Sequence, residues 1–109
     1  MKTHDILENF KIYVKTICAK IPPSIVGLKV FGSYAKGNPK ITSDLDVALI
    51  TTEEFSRMDR IEIREILEGF YDNIEINLFC TTEEKISSTQ SKFDANYWIR
   101  EEGELIWIR

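Results

Sequence analysis

The chain has 109 residues, of which 43% are apolar and 29% charged, and its net charge is −4. This length predicts a single domain, and the composition is that of a folded protein rather than a disordered one. No apolar run is long enough to span a membrane and the N-terminus lacks a secretory pattern, so we expect a cytoplasmic location. The negative charge argues against long duplex nucleic acid as a partner.

The cysteines and the histidine give little sign of chemistry. Cys18 and Cys80 lie far apart without a CxxC spacing, and we expect both to be buried as small apolar residues. His4 is the only histidine and lies near the N-terminus. Catalysis that depends on a histidine is therefore disfavoured.

The first half of the chain predicts one helix and two strands. Apolar residues at three- and four-residue spacing indicate an amphipathic helix over residues 6–21, ended by Pro22 and Pro23. Residues 25–31 are rich in β-branched and aromatic side chains and predict a strand. Residues 44–50 alternate with a period of two, which predicts a strand with two different faces.

The second half predicts a helix from Thr52 to residue 70, a turn at 71–73 and a strand over 74–80. A capped helical start at Thr81 and Thr82, a last helix over 93–100 and a strand over 105–108 follow. Together these elements predict an α/β (α+β) fold with a mixed, twisted sheet of about four strands. We expect helices on one face of the sheet and an open carboxylate face as the cleft.

The residues that carry chemistry lie between positions 32 and 46. Strand alternation places Asp44 and Asp46 on one face, where both carboxylates can bind a hard divalent cation such as Mg²⁺. Gly32 allows the backbone to come close to a phosphate, and Ser33 with the following amides can donate to it. These positions predict a site for a nucleoside triphosphate.

A third acidic side chain would complete a site for two metal ions, and Glu75 on the next predicted strand is the candidate. Three converging carboxylates would repel one another without a cation, so the cluster itself favours metal binding. We expect two Mg²⁺ ions, with Mn²⁺ as a possible substitute.

Simpler interpretations remain open for each of these residues. Asp44, Asp46 and Glu75 can be solvated strand residues, and residues 32–37 a plain turn. Lys36 and Lys40 either screen phosphates or are solvated loop residues. The spacing of residues 32–37 imitates the start of a P-loop, but Asn38 and Pro39 stand where that motif requires Lys and Ser or Thr, which excludes it. Tyr97, Trp98 and Trp107 fit core packing better than an exposed partner patch.

The sequence also resembles a known family. Gly32-Ser33, ten further residues and Asp44-x-Asp46 look like the signature of the DNA polymerase β-type nucleotidyltransferase superfamily. The run from Gly32 to Gly37 is similar to the Gly-Ser-x-Ala-Arg-Gly run of its minimal nucleotidyltransferase (MNT) branch. The resemblance covers residues 25–80, and residues 102–108 resemble the closing strand of the family.

This resemblance implies roles for single residues. Asp44, Asp46 and Glu75 would be the catalytic metal ligands, and Gly32, Ser33 and Lys36 would contact the nucleotide. Two positions depart from the family pattern: Lys36 replaces an Arg and loses its bidentate fork, and Glu75 is one methylene longer than the more frequent Asp.

The resemblance further implies transfer of a nucleoside monophosphate, AMP from ATP being favoured, to an acceptor hydroxyl. Relatives of the MNT type suggest a protein acceptor such as a HEPN-type RNase toxin, silenced by adenylylation of a tyrosine, which would make this chain an antitoxin enzyme. The alternative is a non-catalytic partner subunit of the same fold, which binds nucleotide or neutralises the toxin by contact. Modification of a small molecule is a weaker third possibility, and a homo-oligomer is possible.

Overall fold

The computed structural model describes residues 3–39, 44–70 and 74–109, with side chains from residue 6 onward. The expectations for Lys40, the turn at 71–73 and the side chain of His4 lie outside these described residues. The elements in chain order are α1 (Thr3–Ile17), β1 (Ile25–Phe31), α2 (Ser33–Lys36), β2 (Leu45–Thr51), α3 (Arg57–Glu68), β3 (Ile76–Thr81), α4 (Glu83–Ser88), α5 (Ala95–Glu102) and β4 (Glu104–Ile108). In the described ranges no helix is both long and apolar enough to cross a bilayer.

The four strands form one mixed sheet in the order β3-β2-β1-β4. β1 pairs antiparallel with both β2 and β4, whereas β2 and β3 run parallel. A parallel pair needs a crossover between its strands, and α3 provides it. The predicted fold class, with a small mixed sheet of four strands, is confirmed.

The main core lies between one face of the sheet and helices α1 and α3. It is built from side chains that are almost completely buried: Phe10 and Val14 of α1, Leu28 and Val30 of β1, Leu45, Val47 and Leu49 of β2, and Ile63 and Leu67 of α3. Burial of a side chain of this size contributes about 1.5–3 kcal/mol. This packing holds β2 at the centre of the sheet.

The expectation of helices on one face needs a correction, because the second face is also partly covered. Ala48 and Ile50 of β2 point to this face and are 0% and 2% exposed. They pack with Ile86 of α4 and Ile99 of α5 in a second, smaller core. Phe79 of β3 packs against the same cluster, so this part of the face requires a cover that the sequence pattern did not reveal.

Helix α3 begins later than predicted. Thr52 does not cap it; the carbonyl oxygen of Thr52 accepts a hydrogen bond from the Phe55 amide at 3.1 Å, which makes a turn. Ser56 is the N-cap, and it exchanges hydrogen bonds with Asp59 in a capping box. The Ser24 hydroxyl also donates to the Asp59 carboxylate at 2.8 Å, so Asp59 fastens the helix start to the segment before β1.

The cysteines and the large aromatic residues are less buried than expected. Cys18 and Cys80 are free thiols that are only partly buried, and Cys80 accepts a hydrogen bond from Arg60 at 2.7 Å. Trp98 and Trp107 are partly buried too. Trp98 lines a surface cavity, so core packing accounts for only part of its environment.

Replacement of Asp59 should destabilise the protein in a pH-dependent way. Hydrogen bonds from Ser24 and Ser56 lower the pKa of Asp59 below its usual value. The stabilisation that comes from a lowered carboxylate pKa is fully present above the pKa of the unfolded chain, which is about 4. It is lost as the pH falls through the lower pKa of the folded protein. Asp59→Ala should therefore lower the urea midpoint at pH 7, and the difference from the natural protein should shrink at acidic pH.

The matched control is Glu62→Ala, which removes an exposed carboxylate from the same helix. We expect this variant to leave the urea midpoint nearly unchanged at both pH values. An Asp59→Ala effect that is equally large at acidic and neutral pH would contradict the role given to the ionised carboxylate.

Candidate active site

Asp44 and Asp46 lie at the beginning of β2, near the middle of the sheet. Leu45 between them is completely buried in the main core, so the alternation of the strand turns Asp46 to the opposite face. Both aspartates are partly buried. The expected carboxylate pair is therefore present at a fixed position of the fold.

Asn77 of β3 joins the two carboxylates. The parallel register pairs Asp46 with Asn77. The Asn77 side-chain amide donates a hydrogen bond to Asp44 Oδ2 at 3.0 Å and another to Asp46 Oδ1 at 3.2 Å. Asn77 thus bridges the pair from the neighbouring strand.

The environment disfavours the ionised form of Asp46. Partial burial raises the pKa of Asp46 above its usual value, the hydrogen bond from Asn77 lowers it, and the charge of Asp44 raises it further. A carboxylate that is desolvated next to a like charge gains from any nearby positive charge. The electrostatics of the pair therefore favour a bound cation.

Gly32 lies against Asp46 on the other side of β2. Its backbone φ is +76°, and a Cβ at this position would collide with Oδ2 of Asp46. Only glycine therefore allows both the turn and the close approach. The turn leads into α2, whose first residue Ser33 is partly buried.

Lys36 is directed to α5 in the structure. Its ammonium nitrogen lies 3.9 Å from a carboxylate oxygen of Glu102 and 5.1 Å from the centre of the Trp98 ring. With Phe31, Gly32 and Ala95, these side chains line a cavity of about 210 Å³, here called the Trp98 cavity. Lys36 therefore lies at a cavity that borders Gly32.

Glu75, the predicted third carboxylate, lies on the face of the sheet that carries Asn77. Its side chain is exposed and lines a second cavity, of about 330 Å³, with Arg64, Glu68, Phe70, Ile74, Ile76 and Asn77. Among the described residues, no group of three histidine, cysteine or acidic side chains is arranged to hold one metal ion. The oxygen ligands that the site offers are the carboxylates of Asp44 and Asp46, which suit one divalent cation that completes its shell with other oxygen ligands.

No role was predicted from the sequence for two residues beside the site, although Asn77 was recognised as the companion of Glu75 on one strand face. Strand alternation marks Glu75 and Asn77 equally as residues of one face, and the choice of Glu75 rested on its charge. The register of β2 with β3 places Asn77 beside Asp46, and the Asn77 side chain hydrogen-bonds to both carboxylates. Trp98 was assigned to core packing, and no local pattern signals that α5 would carry it next to Gly32.

The sequence matches one known protein family over most of its length. The family model for polymerase beta nucleotidyltransferases matches residues 13–108. The chain therefore belongs to this family and is a nucleotidyltransferase. No curated protein matches the sequence.

Solved structures show the same fold. A protein assigned as a minimal nucleotidyltransferase superposes with a TM-score of 0.61 at 18% identity, covering 99% of this chain and 97% of the other. A toxin–antitoxin complex with AMP-PNP gives a TM-score of 0.61 at 16% identity, covering 91% of this chain and 73% of the other. A complex of a tri-AMPylated Shewanella oneidensis HEPN toxin with its MNT antitoxin gives a TM-score of 0.58 at 13% identity, covering 94% and 73%.

The two glycines with positive φ allow a matched test of the site. Gly37, like Gly32, has a positive φ, but a Cβ at Gly37 would meet nothing within 4 Å. Gly37→Ala should cost only the conformational penalty, about 1–2 kcal/mol of unfolding free energy. Gly32→Ala should in addition displace the Asp46 carboxylate and abolish binding of ATP with Mn²⁺, measured by calorimetry. Equal loss of binding in both variants would contradict the contact between Gly32 and Asp46.

Proposed function

We propose that this nucleotidyltransferase moves AMP from ATP to a hydroxyl group on a partner protein, in the way of an antitoxin that modifies a HEPN-type toxin. The observation that carries the proposal is the pair Asp44 and Asp46, which lies between Gly32, just after β1, and Asn77 on β3. The fold neighbours that hold AMP-PNP or an AMPylated toxin support ATP and a protein acceptor. We expect the reaction to occur in the cytoplasm.

Each site residue has a task in this proposal. Asp44 and Asp46 would hold a divalent cation, Mg²⁺ or Mn²⁺, which supplies charge stabilisation for the triphosphate. The backbone at Gly32 and Ser33 would lie against the phosphates, because a glycine there lets them come close. The Trp98 cavity offers an indole face and the Lys36 ammonium next to this point, which suits an aromatic base and its phosphates.

The proposed transfer is a single displacement at the α-phosphorus. The acceptor oxygen forms a bond to the α-phosphorus while the bond to the bridging oxygen breaks and pyrophosphate leaves. The proton of the acceptor hydroxyl passes to water. The protein contributes mainly by holding the two reactants in line, which replaces a bimolecular encounter by a positioned one.

A second candidate function has a specific observation in its favour. The side chain that bridges Asp44 and Asp46 is the neutral amide of Asn77, not a third carboxylate. A site with less negative charge can bind the nucleotide and still transfer it slowly or not at all. In that case the protein would act as a nucleotide-binding partner that neutralises a toxin by contact.

Label transfer from α-³²P-ATP into host lysate distinguishes the two functions. With Mg²⁺ or Mn²⁺ the natural protein should label a discrete protein, and Asp44→Asn/Asp46→Asn should reduce the label at least about 100-fold, because both carboxylates of the site are neutralised. The control is Glu83→Gln/Glu84→Gln, which removes two exposed carboxylates from α4 and should not alter the labelling. The transfer function is rejected in favour of the binding function if no label moves from any of the four α-³²P-labelled nucleotides while the natural protein and the double aspartate variant still retain a partner equally.

A further inference from the structure

We propose that Asn77 occupies the place of the third metal ligand, and that its amide limits the site to one divalent cation, bound only together with the phosphates of the nucleotide. This inference rests on the proposed nucleotide binding at Asp44 and Asp46 and deepens it. It replaces the expected pair of metal ions by a single ion whose binding depends on the nucleotide.

The position of Asn77 is set by the backbone. β2 and β3 run parallel, and their register places Asn77 beside Asp46. The backbone amide of Leu45 donates to the carbonyl oxygen of Glu75 at 2.8 Å, which fixes the same register one step earlier. The main chain therefore brings position 77, and no other position of β3, level with Asp46.

The orientation of the Asn77 side chain follows from its two partners. Ionised carboxylates only accept hydrogen bonds, so the amino end of the amide must face Asp44 and Asp46. This end donates at 3.0 and 3.2 Å. The hydrogen bonds offset part of the repulsion between the carboxylates, which is the task that a cation would otherwise perform. A cation must therefore displace these hydrogen bonds and gains no charge from residue 77.

Glu75 does not replace the missing charge. Its side chain is exposed and lines the 330 Å³ cavity, as does that of Asn77, but in the described part of the chain no three histidine, cysteine or acidic side chains are grouped to hold one ion. Mg²⁺ loses its water reluctantly and is commonly held by one or two carboxylates plus substrate phosphates. Two carboxylates are thus sufficient to bind one ion that arrives with the triphosphate. They are insufficient to bind a second ion in the absence of the triphosphate.

The decisive variant is Asn77→Asp, and the measurement is Mn²⁺ binding followed by electron paramagnetic resonance. Without nucleotide the natural protein should bind Mn²⁺ weakly, and with a non-hydrolysable ATP analogue it should bind one ion. Asn77→Asp should bind Mn²⁺ without nucleotide roughly tenfold more tightly or better, because ligand charge sets the affinity for such ions. It should also melt lower than the natural protein in EDTA and recover more on addition of Mn²⁺.

Glu75→Gln tests the inference in the otherwise natural protein, independently of how well Asn77→Asp folds. We expect the affinity for Mn²⁺ with the ATP analogue to stay within about twofold of the natural value. A large loss in Glu75→Gln would identify Glu75 as the third ligand and overturn the inference. Two tightly bound ions in the natural protein without nucleotide would overturn it as well.

The outcome is separable from that of the proposed function. Metal binding is measured without acceptor, so a failure of label transfer leaves the inference about Asn77 standing. Conversely, label transfer by the natural protein combined with two bound ions would confirm the function and reject the single-ion site. A faster transfer by Asn77→Asp than by the natural protein would support both.

Discussion

The approach of Gly32 to Asp46 is the contact on which the site depends. There is no room for a Cβ between the end of β1 and the first carboxylate of β2, and the positive φ of Gly32 turns the chain away at that point. The antiparallel pairing of β1 with β2 sets this distance, because Phe31 lies directly opposite Asp46. The proposed phosphate site depends on this backbone and this carboxylate being held so close together.

The two hydrophobic cores keep this contact in place. The main core immobilises one face of β2 through residues such as Leu45 and Val47, and the second core fixes the other face through Ala48 and Ile50. A central strand packed on both faces cannot shift its register without burying polar side chains or exposing apolar ones. Asp46 is therefore held between two neighbouring strands by packing that lies further along β2, outside the site.

Much of the fold and part of the site could be predicted from the sequence. Alternation at residues 44–50 predicted both the strand and the shared face of Asp44 and Asp46, and Thr82 caps α4 as expected. The start of α3 was missed because Thr52 and Ser56 both offer a hydroxyl, and only the link from Asp59 to Ser24 favours the second. Alternation placed Glu75 and Asn77 on one face of the next strand, but the bridge from Asn77 to both aspartates depends on a parallel register, a long-range pairing that has no local signal.

The single pair of carboxylates at the start of β2 also bears on the stereochemistry of the proposed reaction. One site of this kind suits one displacement, with the incoming oxygen and the departing pyrophosphate on opposite sides of one phosphorus atom. A direct displacement of this kind inverts the configuration at phosphorus, and a chiral α-thio nucleotide would carry that record into the product.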